Sequence, residues 1–254
     1  MKTEVLFNDG WEFIKQKLET SLEEVCAKKD YFVSVGLPHD WLIEQVNDLY
    51  ESSAGWYRKC FLWNKTDKEV VSLCFDGVYM DCQVYINREL AGEWKYGYSA
   101  FSVDMTSFLQ EGSNEIMVCV RHQSPNSRWY SGAGIYRDVR LRRVWETNIP
   151  KNGIYVTTNK IQEDKWSLEI DTEVVCKEEI ELAYTLFDDK KSVVWSSRDF
   201  LFPQQDMIIH TVKASLCNPQ LWDIFAKGGG LVWISRDSIL FQYWIFPEWK
   251  ACEA

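Results

Sequence analysis

The segment that most restricts the fold runs from Val70 to Asn87. VVSLCF is an apolar run, Asp76-Gly77 can turn the chain, and Asp81 to Ile86 then alternates polar residues with Cys82, Val84 and Ile86. That period of two is the signature of a strand with one face buried and one wet. Asn87-Arg88 follows as the next turn, although a type I′ hairpin turn wants positive φ at both central positions and arginine is an unusual occupant of one. Similar short runs recur along the chain: Phe7 to Phe13, Gly55 to Trp63, Glu115 to Arg121, and a resumption of strand character over 135–139. Only Leu18, Leu22 and Val25 recur at helical spacing, which allows one short surface helix or a solvated loop. Many strands with few helices between them imply an all-β protein built from sandwiches.

A second series follows Trp145 to Pro150, which reads as a linker. Strands are expected over 153–158, 166–175, 180–188, 191–195 and 207–212, a spacing typical of immunoglobulin-like sandwiches, here without the Cys and Trp framework of antibody domains. The chain of 254 residues has room for two ordinary domains. Thirteen tryptophans and an aromatic content of 15% exclude disorder. Those rings can fill sandwich cores or stack on the apolar faces of sugars.

Charge removes other classes. A net charge of −10 and a pI near 4.9, with no Lys/Arg run, disfavour nucleic acid as a partner. No apolar run is long enough to span a bilayer. Of the eight cysteines, none forms a C-x-x-C pair, and Cys60, Cys74, Cys82 and Cys119 lie in or beside strand-like runs. They read as reduced core residues of a cytoplasmic protein, and MKTEVLFNDGW has no apolar signal-peptide core. No cofactor or metal-ligand cluster is evident.

The stretch with the most recognition character is HQSPNSRWYSGAGIYRDVR at 122–140. Arg128, Trp129 and Tyr130 sit among small residues, and Gly132 and Gly134 allow positive φ and close backbone approach. Loops of this kind on a rigid sheet are where binding residues concentrate. Leu37-Pro38-His39-Asp40-Trp41 is the other pointed segment. His39 and Asp40 are adjacent and face opposite ways on an extended chain, so a base oriented by its neighbour is disfavoured against a turn in which Asp40 and Trp41 lock a loop.

SRWYSGAGIYRDV resembles the hallmark loop of the N-terminal sugar-binding domain of glycoside hydrolase family 2, the family of the β-galactosidases and β-glucuronidases. FNDGWEF at 7–13, LPHDW at 37–41, GWYRKCF at 55–61, FDGVYMDCQVYIN at 75–87 and GYSAFSVDMTSFL at 97–109 agree with it and keep the family's order. The resemblance covers residues 5 to 223. It implies a jelly-roll sandwich over 1–145, then an incomplete immunoglobulin-like sandwich over 146–223. It also implies a sugar subsite formed by Asn126, Ser127, Arg128 and Trp129, with Asp40 nearby. Tyr136, Arg137 and Asp138 are expected to lock the loop to the sheet, Arg137 through a carboxylate. An Asn-Glu pair marks the acid/base in the family's barrel; here Asn114-Glu115 starts a strand and is read as structural.

The family's two catalytic glutamates, about 5–5.5 Å apart in retaining enzymes, belong to a (β/α)8 barrel. No catalytic residue is assigned in this chain, since Glu51, Asp76, Asp81 and Asp138 fall at turns and strand edges without a pocket partner in view. The reading is therefore the non-catalytic portion of a β-galactosidase-like hydrolase, its partners a β-linked sugar and a separately encoded catalytic barrel. A free carbohydrate-binding module and a complementing scaffold are the alternatives. After Asp223 the pattern is lost. Permitted codons for the tail, read one base later, give GFREIR from 233–238 and TGFFLNGKPVK from 243–254, both family-like, so 224–254 is expected to be out of frame.

Overall fold

The structure is a computed structural model. It describes residues 3–43, 50–125, 131–188, 191–204 and 207–219, and the backbone of 231–235 and 241–244. The chain divides into two compact units, Met1–Trp145 and Glu146–Ala254. The architecture is all-β, with antiparallel pairing throughout the described ladders.

The first unit contains β1 (Thr3–Leu6), β2 (Trp11–Gln16), a single turn of helix α1 (Leu22–Cys26), β3 (Val33–Val35), β4 (Ser53–Trp63), β5 (Glu69–Phe75), β6 (Cys82–Ile86), β7 (Glu89–Trp94), β8 (Phe101–Asp104), β9 (Gly112–His122) and β10 (Val139–Trp145). They form a four-stranded sheet, β1-β10-β5-β8, and a six-stranded sheet, β3-β2-β4-β9-β6-β7. Alternation decides which side chains go in: Cys82, Val84 and Ile86 are buried while Gln83 and Tyr85 are half-buried. Both sheets contribute to one core, including Trp11, Tyr57 and Val118 from one and Leu73, Phe75 and Leu141 from the other. Fully burying a large apolar side chain stabilises by roughly 1.5–3 kcal/mol. Trp11, Trp41, Trp56, Trp63 and Trp166 are all buried, so these rings fill cores rather than face sugar.

Several boundaries differ from the sequence reading. The aromatic run 7–13 is not one strand: Trp11 Nε1 donates to the Phe7 carbonyl at 2.8 Å, folding 7–10 into a bend between β1 and β2. Strand structure does not resume at Ile135 but at Val139. The strand expected from Glu115 starts earlier, since β9 begins at Gly112. Helix α1 does form, because Ser21 and Glu24 make reciprocal capping bonds and Val25 is buried on the outer face of the six-stranded sheet with Trp56, Met117 and Cys119. The β6–β7 turn keeps the I′-like backbone, with φ of 50° at Asn87 and 73° at Arg88, so a left-handed arginine is accepted there. Asn87 Nδ2 donates to the Phe108 carbonyl and to Asn114 Oδ1, which anchors the turn. Asn114 is buried in this bonding and Glu115 pairs with Lys29 at 3.4 Å, a structural role for the Asn-Glu pair. Cys74, Cys82 and Cys119 are buried thiols, but Cys60 is exposed because it lies on the outer side of β4, contrary to the core placement expected for it.

The second unit contains β11 (Ile154–Gln162), β12 (Lys165–Val174), β13 (Ile180–Phe187), β14 (Val193–Leu201), β15 (Ile208–Cys217), β16 (Leu231–Ser235) and β17 (Phe241–Trp244). Its sheets are β11-β12-β15 and β14-β13-β16-β17. β12 is buried at every second residue from Trp166 to Val174, and Leu168, Ile170 and Val174 share a core with Leu182, Tyr184 and Leu186 of β13. Tyr184 is wholly buried, and its hydroxyl is satisfied by Thr172 at 3.0 Å and His210 at 2.9 Å. The strands expected at 191–195 and 207–212 are longer than their apolar segments, since pairing with β13 and β12 extends them to Leu201 and Cys217.

Candidate functional site

The two segments singled out by sequence meet in the first unit. Residues 37–42 run alongside 133–135: His39 N donates to the Ile135 carbonyl at 2.8 Å and Trp41 N to the Ala133 carbonyl at 3.1 Å. Asp40 completes the junction. Its Oδ1 accepts from Leu42 N and from Ala133 N, each at 3.0 Å, so it closes its own turn and holds the far segment with one oxygen. His39 faces the other way, as the alternation required, and its Nδ1 lies 2.8 Å from Tyr57 Oη. Asp40 and His39 therefore do not form a catalytic pair.

Glycine makes the approach possible. A Cβ at Gly132 would collide with Asp40 Oδ2, and one at Gly134 would lie 2.5 Å from Tyr57 Oη and closer still to the His39 carbonyl oxygen. Gly134 also has φ of +136°, whereas Gly132 is required for space alone. On the other side, Gly134 exchanges backbone bonds of 2.9 Å with Tyr79 in both directions.

The other end of the loop is fixed by His122, which is 1% exposed. Its Nδ1 donates to the Glu51 carbonyl at 2.7 Å, because a carbonyl can only accept; Nε2 lies 3.1 Å from Ser131 Oγ. Glu51 belongs to the same support: Oε2 accepts from Lys15 at 2.9 Å and Oε1 from Ser53 at 2.9 Å, and Ser53 Oγ accepts from Trp41 Nε1 at 3.1 Å. Burial opposes ionisation of Glu51, yet the hydrogen bonds from Lys15 and Ser53 hold its carboxyl below the ordinary carboxylate value. Sequence offered no signal linking Glu51 to His122 and Ser131, since Glu51 lies 71 residues before His122.

Asn126, Ser127, Arg128 and Trp129 lie outside the described residues. His122 before them bonds Ser131 after them, and Asp40, which was grouped with them, holds the same C-terminal side through the backbone of Ala133. Beyond that side, the expected lock through Arg137 is made by Arg140 instead. Arg140 pairs with Asp76 and, at 3.0 Å, with Asp138, while Asn8 Nδ2 donates to Asp138 Oδ1 at 2.9 Å. Asp76 and Asp138 thus do have a shared partner, and they border a cleft with Arg137 and Tyr136. Among the described residues no cluster of three or more His, Cys, Asp or Glu side chains is arranged to hold a metal ion, and no helix is long and apolar enough to cross a membrane.

Comparison with known proteins identifies the family. The model of the domain described as "Glycosyl hydrolases family 2, sugar binding domain" matches residues 27–145, which include both loop stems. The β-galactosidase BoGH2A of Bacteroides ovatus is 34% identical over 236 residues, covering 86% of this chain and 28% of that protein. A β-galactosidase of Thermoanaerobacter pseudethanolicus is 28% identical over 186 residues, covering 68% of this chain and 25% of that protein. Among solved structures, a β-glycosidase from Bacteroides vulgatus superposes with a TM-score of 0.74 at 26% identity, covering 94% of this chain and 32% of that one. The Bacteroides uniformis β-glucuronidase gives a TM-score of 0.79 at 22% identity over 96% of this chain, a likeness of fold. The chain spans about a quarter to a third of the length of these relatives. It belongs to glycosyl hydrolases family 2, with the family's sugar-binding domain at residues 27–145.

Proposed function

We propose that this chain is the N-terminal, non-catalytic portion of a retaining β-glycosidase of β-galactosidase type, and that Ser127, Arg128 and Trp129, with Asn126 behind them, contact the sugar. The observation that carries this reading is the double-stemmed support of their loop. His122 on the N-terminal side bonds Ser131 on the C-terminal side, and Asp40 holds Ala133 two residues further on. A loop fixed at both ends by buried or backbone-directed bonds can present side chains with little ordering cost on binding. An arginine there would give paired hydrogen bonds to hydroxyls and a tryptophan an apolar face for a pyranose. Asp40 is a positioning residue in this account, since its Oδ1 is occupied by two backbone N–H groups.

Hydrolysis itself is assigned to a (β/α)8 barrel that supplies the two carboxylates such chemistry needs. In the proposal the present domains dock on that barrel and complete its sugar subsite. The immunoglobulin-like unit ends its selected sequence near Asp223, and 224–254 is read from a shifted frame. β16 and β17 then reflect the apolar character of LVWIS and FQYW, which suits strands whatever their origin. Sequencing the coding DNA tests this part: the frame one base later should read GFFLNGK, and any other reading defeats it.

The sugar contact is tested by titrating the chain, with and without a co-expressed barrel chain, with methyl β-galactopyranoside. Quenching of tryptophan fluorescence that disappears in Trp129→Ala is the expected result. Binding that survives both Arg128→Ala and Trp129→Ala would remove the loop from the site.

A further inference from the structure

Where β14 passes into β15, a short stretch of chain exposes several large apolar side chains. Phe200, Phe202, Met207 and Ile209 are each between 49% and 65% exposed. Single exposed apolar residues are ordinary, but a run of them along one edge marks an interaction site. β14 and β15 are also the outermost described strands of their sheets, β14 beside β13 and β15 beside β12. Each therefore offers backbone N–H and C=O groups along one side with no described strand to take them. The two edges border the same flank of the sandwich. His210 Nε2 of β15 lies 3.6 Å from Asp199 Oδ2 of β14, and Gln204 N, between the strands, donates to the Cys176 carbonyl at 3.0 Å.

The charges around this strip are mostly acidic. Phe200 stands opposite Glu181 in the β13–β14 ladder, and Ile209 stands opposite Glu173 in the β12–β15 ladder. Opposite residues share a face, so each of these apolar side chains has a carboxylate beside it. Glu178 and Glu179 are exposed in the turn that Gln204 reaches, and Asp199 lies on the flank itself. Against these five carboxylates stand Lys177 and Arg198, which leaves an excess of three negative charges, and Arg198 already pairs with Glu181 at 3.3 Å. Negative charge beside exposed apolar rings repels an anionic membrane. It also opposes a second copy of the chain, because a two-fold contact would set glutamates against glutamates. It attracts a polypeptide that carries lysine or arginine among apolar residues.

We propose that the β14–β15 flank is a docking site for a basic strand of another polypeptide. That strand pairs with the free edge, seats its apolar side chains against Phe200, Phe202, Met207 and Ile209, and turns its lysines or arginines toward Glu173 and Glu179. The mode is strand addition to an exposed edge, in which main-chain bonds supply affinity and alternate side chains supply selectivity. The site lies wholly within the second unit and shares no residue with the recognition loop, so it stands whether or not that loop contacts sugar.

The test is an amide NMR titration of the full chain, at low ionic strength, with the end-capped peptide KVKVKVK. The amides of Phe200, Phe202 and Ile209 should shift together, and added salt should weaken the response. Phe200→Ser, at an exposed position, should weaken binding about tenfold, as the lost burial of one aromatic side chain implies. Ile209→Ser, on the other edge strand, gives a second reading should the first variant disturb the fold. The charge-reversed peptide EVEVEVE and the apolar-free KSKSKSK should leave the amides in place. Unmoved amides at millimolar KVKVKVK, equal binding of either control peptide, or undiminished binding in both serine variants overturns the inference. So does self-association of the chain that moves the same amides, or a shift produced by phosphatidylserine vesicles and by no peptide.

Discussion

Asp40 Oδ1 lies 3.0 Å from the backbone nitrogen of Ala133, a hydrogen bond between residues 93 apart in the chain. The same oxygen accepts from Leu42 N, so one carboxylate both shapes its own turn and fixes the far stem of the recognition loop. Replacing Asp40 by alanine strands two backbone donors, and the unfolding free energy should fall by about 2 kcal/mol. Asp40→Asn keeps an acceptor oxygen and should lose less. Urea denaturation of the three proteins measures the order, which a sugar-contacting Asp40 with no structural role would not produce.

Gly134 should be among the least replaceable residues of the first unit. Its φ of +136° and its approach to Tyr57 and to the His39 carbonyl penalise any side chain, and Gly134→Ala should cost about 3 kcal/mol. Gly36 is the control, since a Cβ added there would meet nothing within 4 Å, and Gly36→Ala should leave the thermal midpoint nearly unchanged.

Glu51 gives a pH-dependent prediction. Its folded pKa is lowered from the ordinary 4.5, chiefly through Lys15 and Ser53 acting against burial. A depressed carboxylate contributes stability that is present above the unfolded value and lost as pH falls through the folded one. Glu51→Gln should therefore be less stable than wild type by about 1 kcal/mol at neutral pH, a modest value because Lys15 is a third exposed. The difference should vanish in acid. Denaturation midpoints at neutral pH and below the folded pKa test it, and a constant difference would contradict the assignment.

Burial pushes the thiols of Cys82 and Cys119 up to about 12, and Cys74 is buried with them. In native protein these three should resist a thiol reagent, while Cys60 and Cys217, both exposed, are modified. Mass spectrometry before and after unfolding reads the difference.

What could be seen in the sequence was what local patterning encodes. The alternation of β6 placed its buried face, and the adjacency of His39 and Asp40 correctly denied them a shared side. The bend at 7–10 was missed because an aromatic run hides a side-chain bond from Trp11 to the Phe7 carbonyl. The choice of Arg140 over Arg137 as the lock was missed because strand parity decides it. Arg140 lies in β10 opposite Cys74 of β5, within reach of Asp76, while Arg137 precedes the strand. His122 and Glu51 could not be linked by spacing, since their contact exists only after β4 and β9 pair.

The most direct test of the account is hydrolysis of a chromogenic β-galactoside by the purified chain, alone and with a barrel-containing chain of the same family. The account predicts no turnover alone and turnover that appears on mixing and falls in Trp129→Ala. Turnover by the purified chain with no helper would contradict it, because the acid pair would then have to lie within these two sandwiches.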